Sequence, residues 1–494
     1  MLLTDQLLLN FQRCHRQAFL ELYGEPSVRG QTNEFILKLG QDKQRFQHTL
    51  ALNQPVVEPD YPPHDWFAGA AATLELMRQG VPTIRRGVLL SPQTEQYAFL
   101  STPDLLIRRS GVSLFGDWIY VPVDVKLSKR PKLEYQILSA FHADVLAAIQ
   151  GNETEGSAWL YLRDKGWYGV DLPRIFPQME ALRADLLEML LSRQEPEVFI
   201  ARNRCGMCVW FDHCYAIAQA EQHLSLIPGV TPTRYPVLQA HALDTVEALA
   251  CTDALSLHAK TGLGHEVSSK LVAQAQAFVY QQPILLTGPH AIQDLHALPT
   301  APIELYFDIE AEPGLNLVYL HGILLVDRHR DRQQFYPFLA KRPEEEAQAW
   351  QELAALLASY PDAPIFHFCS YEVQTVCRLA KQYGAPDRLI ESLSARCFDL
   401  HEWVTRTVSL PIESYTLKLI ARWLGFEWRN AAANGAQAIC WYSQWLETGD
   451  EQYLNDIVLY NEDDCRATYH VKDWLTQFFA QQVVQTLPPM ACGF

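Results

Sequence analysis

Apolar and polar positions change rhythm along the chain and divide it into three stretches. Residues 1–220 open with helical patterning, followed by strand-like runs at 87–90, 98–108, 118–127 and 158–162. A helical period over 132–150 separates the last two runs, which predicts mixed α/β order. Residues 221–290 read as short helices punctuated by Ile227-Pro228-Gly229-Val230 and Thr261-Gly262-Leu263-Gly264. The stretch 300–480 begins with strand-like runs at 303–309 and 316–326, joined by a Pro-Gly turn. Helix-and-strand alternation follows, then a long helix through 453–474, and the final TLPPMACGF reads as a loose tail. The prediction is a multidomain α/β protein, and 494 residues are indeed too many for one compact core.

Composition narrows the class. Hydrophobic content of 48% and charge of 20% are those of ordinary soluble protein. No run reaches the roughly 18 apolar residues a membrane span needs. The N-terminus lacks a basic segment before its apolar residues and a small-residue cleavage site after them, so no secretory signal is expected. The expected location is the cytoplasm. Eleven cysteines, an odd count, do not suggest a disulfide framework there. A formal net charge of −17 argues against a strong nonspecific DNA binder. It leaves open a metal-dependent nuclease, because carboxylates gathered around metals inflate the acidic count and binding depends on local fields.

The clearest chemistry lies in the third stretch. Asp308 and Glu310 are two apart in a strand-like run, so both project from one face. Tyr460 and Asp464 are four apart on a predicted helix and share a face there. Such a set suits phosphodiester hydrolysis, with carboxylates clamping divalent ions and the tyrosine holding water. An acidic helix start at Glu462, Asp463 and Asp464 would be a plainer account, but it leaves the companion Asp-Ile-Glu strand unexplained. Between them, a strand running into a helix supplies Glu372 after Tyr371, and Ala-Arg-Cys-Phe-Asp-Leu supplies Asp399.

In this order the motifs resemble the tyrosine-bearing branch of the RNase H-like DEDD exonucleases. The resemblance implies that Asp308, Glu310, Glu372 and Asp464 hold two Mg²⁺ or Mn²⁺ ions and that Tyr460 positions water. In that family the second motif usually offers an Asn ahead of Phe-Asp, where this chain has Cys369 and then Tyr371-Glu372. Asp399 is therefore an alternative third acid.

The first stretch holds a second constellation. Cys205, Cys208 and Cys214 form C-x₂-C-x₅-C, a spacing that can wrap one metal centre, with Cys14 as the candidate fourth thiolate. This arrangement resembles the iron–sulfur staple of Cas4-like and AddB-like nucleases, which implies a 4Fe–4S cluster. Zinc completed by His213 or His15 is the competing metal. Between the cysteines, Ser101-Thr102-Pro103-Asp104 is followed by Pro122-Val123-Asp124-Val125-Lys126. Asp124 and Lys126 face one way on a strand, and the pattern resembles the PD-(D/E)xK fold in its RecB-like branch, a restriction-endonuclease-like domain. That likeness implies Mg²⁺ on Asp104 and Asp124, a stabilising role for Lys126, an upstream metal-site histidine at His48, and nucleic-acid contact by Gln136. The glutamine is usually followed four residues later by Tyr, where this chain has Ala140.

The middle stretch resembles paired helix-hairpin-helix elements, in which a glycine turn lets a helix N-terminus approach phosphate. Here Gly262 and Gly264 precede a helical stretch, with Arg234, Lys260 and Lys270 as its few cations. A small helical spacer with glycine caps fits the same residues.

Together the parts resemble predicted RecB-family nucleases fused to an RNase H-like exonuclease domain. The expectation is a Mg²⁺- or Mn²⁺-dependent (exo)nuclease acting on DNA ends or single-stranded DNA in repair or recombination. An RNA 3′ exonuclease and a catalytically idle iron–sulfur nucleic-acid-binding scaffold are the alternatives. No G-x₄-G-K-[ST] loop is present, so unwinding would fall to a partner helicase.

Overall fold

The computed structural model describes residues 1–50, 55–91, 96–151, 157–286, 298–385 and 387–486. The predicted tail beyond residue 486 lies outside them. The chain divides into two compact units, Met1–Val198 with Asn203–Tyr215, and Phe199–Arg202 with Ala216–Phe494. The fold is multidomain α/β, built on several sheets.

The first unit contains β1 (Leu2–Thr4), β2 (Val56–Val57), β3 (Thr83–Arg85), β4 (Leu89–Leu90), β5 (Ala98–Ser101), β6 (Leu105–Ser113), β7 (Gly116–Lys126), β8 (Trp159–Leu162) and β9 (Gly166–Gly169). A six-stranded sheet runs β2-β3-β6-β7-β8-β9, and a small one runs β1-β5-β4. The run predicted over 98–108 is broken. Thr102 donates its N–H and hydroxyl to Asp5 Oδ2 at 2.6 and 2.8 Å, and Pro103 follows, so the ladder stops and restarts at Leu105. The helix Leu133–Gln150, ended by a left-handed Gly151, packs its apolar residues on Leu160 and Leu162.

In the second unit, β10 (Ile284–Leu285) and β16 (Val408–Ser409) form a two-stranded ribbon. The larger sheet comprises β11 (Ile303–Glu312), β12 (Leu317–Asp327), β13 (Arg332–Leu339), β14 (Ile365–His367) and β15 (Cys397–Asp399), in the order β13-β12-β11-β14-β15. The first three strands are antiparallel and the last two join in parallel. β12 is buried along its whole length, as its near-continuous apolar run requires of a strand covered on both faces. Tyr306 and Leu324 face the long helix Glu451–Thr486 through Cys465, Val471 and Leu475. Leu305, Phe307 and Ile309 face the opposite layer, Trp350, Leu353 and Leu379. Asp308 and Glu310 share the period of Tyr306 and so look toward the long helix.

The stretch read as a linker falls within the second unit, around a core of Leu224, Leu238, Leu249, Leu257 and Leu271. Gly262 ends the helix Ala254–Thr261 with φ of 69°, and Gly264 is the N-cap of His265–Tyr280. Both glycines serve as caps. Lys270 pairs with Glu266 at 3.0 Å, and Arg234 donates to the Gly229 carbonyl at 2.8 Å. No described helix is long and apolar enough to cross a membrane.

Candidate functional site

Strand period and helix period converge on one point in the second unit. Asp308 and Glu310 come from β11, where a bulge after Glu310 shifts the register against β12. Asp464 comes from the long helix, and a carboxylate oxygen from each of the three lies within 4.8 Å of the others. This group can hold a divalent cation. The helix begins at Glu451, so Glu462, Asp463 and Asp464 lie several turns inside it, and a helix-start dipole does not account for them. Asp463 and Glu462 are held by arginines outside the group: Arg429 donates to Asp463 at 2.8 Å and pairs with Glu462 at 3.0 Å, and Arg466 bridges Glu462 at 2.7 Å.

Three like charges at this separation are costly without a counterion. Burial together with the neighbouring carboxylates pushes Asp308 and Glu310 well above the ordinary range. Asp464 rises to about 7, chiefly by burial, although hydrogen bonds from Trp428 and Tyr460 oppose the shift. Burial beside these carboxylates also pushes the Tyr460 hydroxyl far up, and it is hydrogen-bonded to Asp464. Tyr460 therefore stays protonated.

Glu372 sits in the first turn of the helix Tyr371–Gln382, and its charge is felt by both Asp308 and Glu310. It is 6% exposed, burial pushes it to about 8, and among the described residues its Oε2 accepts no hydrogen bond, with His367 Nδ1 3.8 Å away. Asp399 is engaged differently. Its Oδ1 accepts the N–H groups of Cys369 and His401, each at 2.9 Å, as the N-cap of Leu400–Thr407. Cys369 has φ of 84°, the left-handed region that a side chain adopts at a cost.

Two supporting residues carried no sequence signal that was read. Asn461 Nδ2 donates to Asp308 Oδ2 at 2.6 Å. Trp428 Nε1 donates to Asp464 Oδ1 at 2.7 Å. Asn461 lies three residues before Asp464, a helical neighbour spacing that could have flagged it; nothing local to Trp428 could.

In the first unit, Asp104, Asp124 and Lys126 meet at the end of β7. Lys126 Nζ is 3.3 Å from Asp124 Oδ1, and Asp104 Oδ2 accepts the Val125 N–H at 2.8 Å. Burial alone would raise Asp124, but Lys126 and His142 hold its carboxyl below the usual range. The same two aspartates raise Lys126 against its own burial, so it stays charged. His142 was not anticipated: Nε2 is 3.5 Å from Asp124 Oδ2, and Nδ1 lies 2.7 Å from Ser101 Oγ. His48 does not join Asp104 and Asp124 in a group of three close ligands among the described residues; its Nδ1 lies 3.4 Å from Arg85. From the same helix, Glu34–Thr49, Lys43 reaches Asp104 at 2.7 Å. Five helical residues turn the chain by roughly 140°, so the two side chains cannot share a face. Gln136 Nε2 donates to the Pro131 carbonyl at 2.8 Å.

Cys14, Cys205, Cys208 and Cys214 form no disulfide among the described residues and are partly buried. Burial pushes the Cys208 thiol up to about 11, with Cys14, Cys205 and Cys214 close enough to add to the shift. Burial likewise raises Cys214, against a hydrogen bond from Arg16.

Residues 305–476 match the model of the RNase H superfamily, so this segment is an RNase H-like domain, a nucleic-acid-cleaving hydrolase fold. The match takes in all the carboxylates of the second unit's site and Tyr460. No curated protein matches the chain.

Proposed function

We propose that the protein is a metal-dependent exonuclease whose main centre is formed by Asp308, Glu310, Glu372, Tyr460 and Asp464. The observation that carries this reading is the convergence of three mutually repelling carboxylates, the buried Glu310 and Asp464 and the half-buried Asp308, inside an RNase H-like domain. Their raised affinity for protons reports a site that lacks positive charge, as a cation site should. The buried Glu372 Oε2, which accepts no hydrogen bond among the described residues, supports Glu372 as the fourth ligand, with Asp399 retained as a cap. Mg²⁺ or Mn²⁺ bound there would neutralise phosphate charge and lower the pKa of attacking water. The residues of the chain do the rest. Asn461 and Trp428 fix the orientation of Asp308 and Asp464, and the protonated Tyr460, hydrogen-bonded to Asp464, would accept a hydrogen bond from the attacking water on its free lone pair and so orient it.

The reading extends to the first unit as a RecB/Cas4-like PD-(D/E)xK nuclease spanning 1–220, with 300–480 as the exonuclease domain. Its support is the pairing of Asp124 with a charged Lys126 and the proximity of Asp104 to both. Asp104 and Asp124 would take Mg²⁺ and Lys126 would stabilise phosphoryl charge. Four neighbouring thiols suit a 4Fe–4S cluster on Cys14, Cys205, Cys208 and Cys214, with zinc the lesser fit. The substrate we favour is single-stranded DNA or DNA ends in repair, with a separate helicase for unwinding, in the cytoplasm.

The test is cleavage of 5′- and 3′-labelled DNA and RNA by the purified protein and by its Asp308→Ala and Lys126→Ala variants. Asp308→Ala should abolish metal-dependent 3′ trimming, and Lys126→Ala should remove any remaining DNA cleavage. Preference for RNA would favour an RNA exonuclease. Absence of cleavage on every substrate with either metal would sink the nuclease reading in favour of an idle scaffold.

A further inference from the structure

The loops that follow β7 and β8 are basic in a strongly acidic chain. Residues 126–134 and 162–166 contain Lys126, Lys129, Arg130, Lys132, Arg163 and Lys165 against Glu134 and Asp164, whereas the whole chain carries −17. The two loops adjoin, since Arg163 donates its N–H to the Lys126 carbonyl at 3.2 Å. Lys129, Arg130, Lys132 and Lys165 are exposed. Clustered cations of this kind form a local field that attracts phosphate whatever the net charge.

A row of aromatic rings starts beside them. In the β8–β9 hairpin, Trp159 and Trp167 lie 6.5 Å apart between ring centres, and Tyr161 lies 5.2 Å from Trp167. Phe46 continues the row at 5.6 Å from Tyr161, with the Arg163 guanidinium 6.0 Å from its ring centre. Register puts Trp159 and Tyr161 opposite Val123 and Val125, on the face away from Asp124. The row returns to the site through Lys43, one turn from Phe46 on the same helix and 2.7 Å from Asp104. Trp159 is 36% and Trp167 44% exposed, whereas Phe46 and Tyr161 are partly buried against the apolar cluster of Leu50, Val123 and Val125.

We infer that this edge is the binding track for a single-stranded polynucleotide, its bases stacking on the exposed Trp167 and Trp159 and its phosphates following the two basic loops to the strand ends where Asp104, Asp124 and Lys126 meet. A duplex does not fit this chemistry, because its bases are already stacked and present no free π-face to the indoles. Alternating rings and cations are what an unstacked strand requires of its binder. The inference deepens, and rests on, the reading of the first unit as a nuclease.

The test measures binding apart from cleavage. Fluorescence anisotropy of labelled oligo(dT), oligo(U) and a duplex of equal length is recorded on the full chain in chelator. Trp167→Ala should weaken binding of the single strands roughly tenfold and leave duplex binding unchanged. Lys129→Glu/Arg130→Glu/Lys165→Glu should make the salt dependence of oligo(dT) binding shallower by about two logarithmic units per unit. Equal losses for oligo(dT) and oligo(U) identify a track for either polymer, and a loss for one alone names the substrate. Photocrosslinking of bromouracil-substituted strands should label the 157–169 segment. Unchanged single-strand affinity in both variants, or crosslinks confined to other segments, overturns the inference. In an Asp308→Ala background, which removes cleavage by the second unit, Asp124→Asn separates the two readings: it should keep binding and lose the remaining cleavage. If it cleaves normally, the nuclease reading of the first unit falls, while the anisotropy and crosslinks still judge the track.

Discussion

A Cβ placed on Gly322 would lie 1.8 Å from Asn461 Oδ1, so β12 and the long helix meet where only glycine fits. Asn461 in turn holds Asp308 at 2.6 Å. Gly322→Ala should destabilise the protein by about 1–3 kcal/mol, as overpacking does, and should weaken metal binding by displacing Asn461. Denaturant midpoints of the single and double variants check this. In an Asn461→Ala background the same alanine should cost clearly less, because the clash has been removed.

Trp428 supplies one hydrogen bond to Asp464, at 2.7 Å. Trp428→Phe keeps most of the apolar contact and loses only the donor. Mn²⁺ affinity, measured by calorimetry, is expected to fall about 10–100-fold. An unaltered affinity would mean that Asp464 does not ligate the metal.

The acidic cluster makes metal-free stability depend on pH. The folded-state values of Glu372, about 8, and Asp464, about 7, are raised above their unfolded values. Acids raised in this way favour folding at low pH, and that contribution is lost as pH climbs from roughly 4 toward 8. In chelator the melting temperature of the second unit should therefore drop across that window. Added Mn²⁺ should recover more of it at pH 8 than at pH 5, and Asp308→Asn should flatten the pH dependence.

His321 works in the opposite direction. It is buried beside Phe307 and Trp350, neither ring nitrogen has a hydrogen-bond partner among the described residues, and burial lowers it to about 3. A lowered base stabilises the fold while neutral, so its contribution is present above about pH 6.5 and lost as pH falls toward 3. His321→Phe should reduce acid sensitivity in that range, read as a smaller loss of melting temperature between pH 6.5 and 4.

The cysteine set gives a prediction by removal. Cys14→Ser or Cys214→Ser should lower iron content and bleach visible absorbance of the purified protein. Because Cys14 and Cys205 to Cys214 lie far apart in sequence, thermal unfolding of the first unit should fall while that of the second holds. Zinc in place of iron, with no visible absorbance, would replace the cluster assignment.

Where the relevant spacing is short, the sequence was readable. Asp308 with Glu310 and Tyr460 with Asp464 are fixed by strand and helix periods, and the β11–β12 hairpin by its apolar runs and Pro-Gly turn. Asn461 and Trp428 were not readable, because their roles depend on which face of the helix meets which strand. Lys43, on the helix that carries His48, reaches Asp104, a contact that depends on how the helix lies against the sheet and not on local spacing. The continuous strand over 98–108 failed for a similar reason: Asp5, distant in sequence, captures Thr102.

The long helix is tied to β11 at two heights. Lys472 meets Glu304 at 2.7 Å, and Asn461 meets Asp308 at 2.6 Å. The helical span between these ties rises roughly 16 Å and the strand span about 13 Å, so both can close only at one helical phase. Deleting a single residue between them would turn one tie by about 100° away from its partner. Apart from Asp464 and the core positions Cys465, Ala467 and Val471, the segment from Asn461 to Lys472 can therefore vary in composition but not in length. Related chains should show substitutions there and no indels.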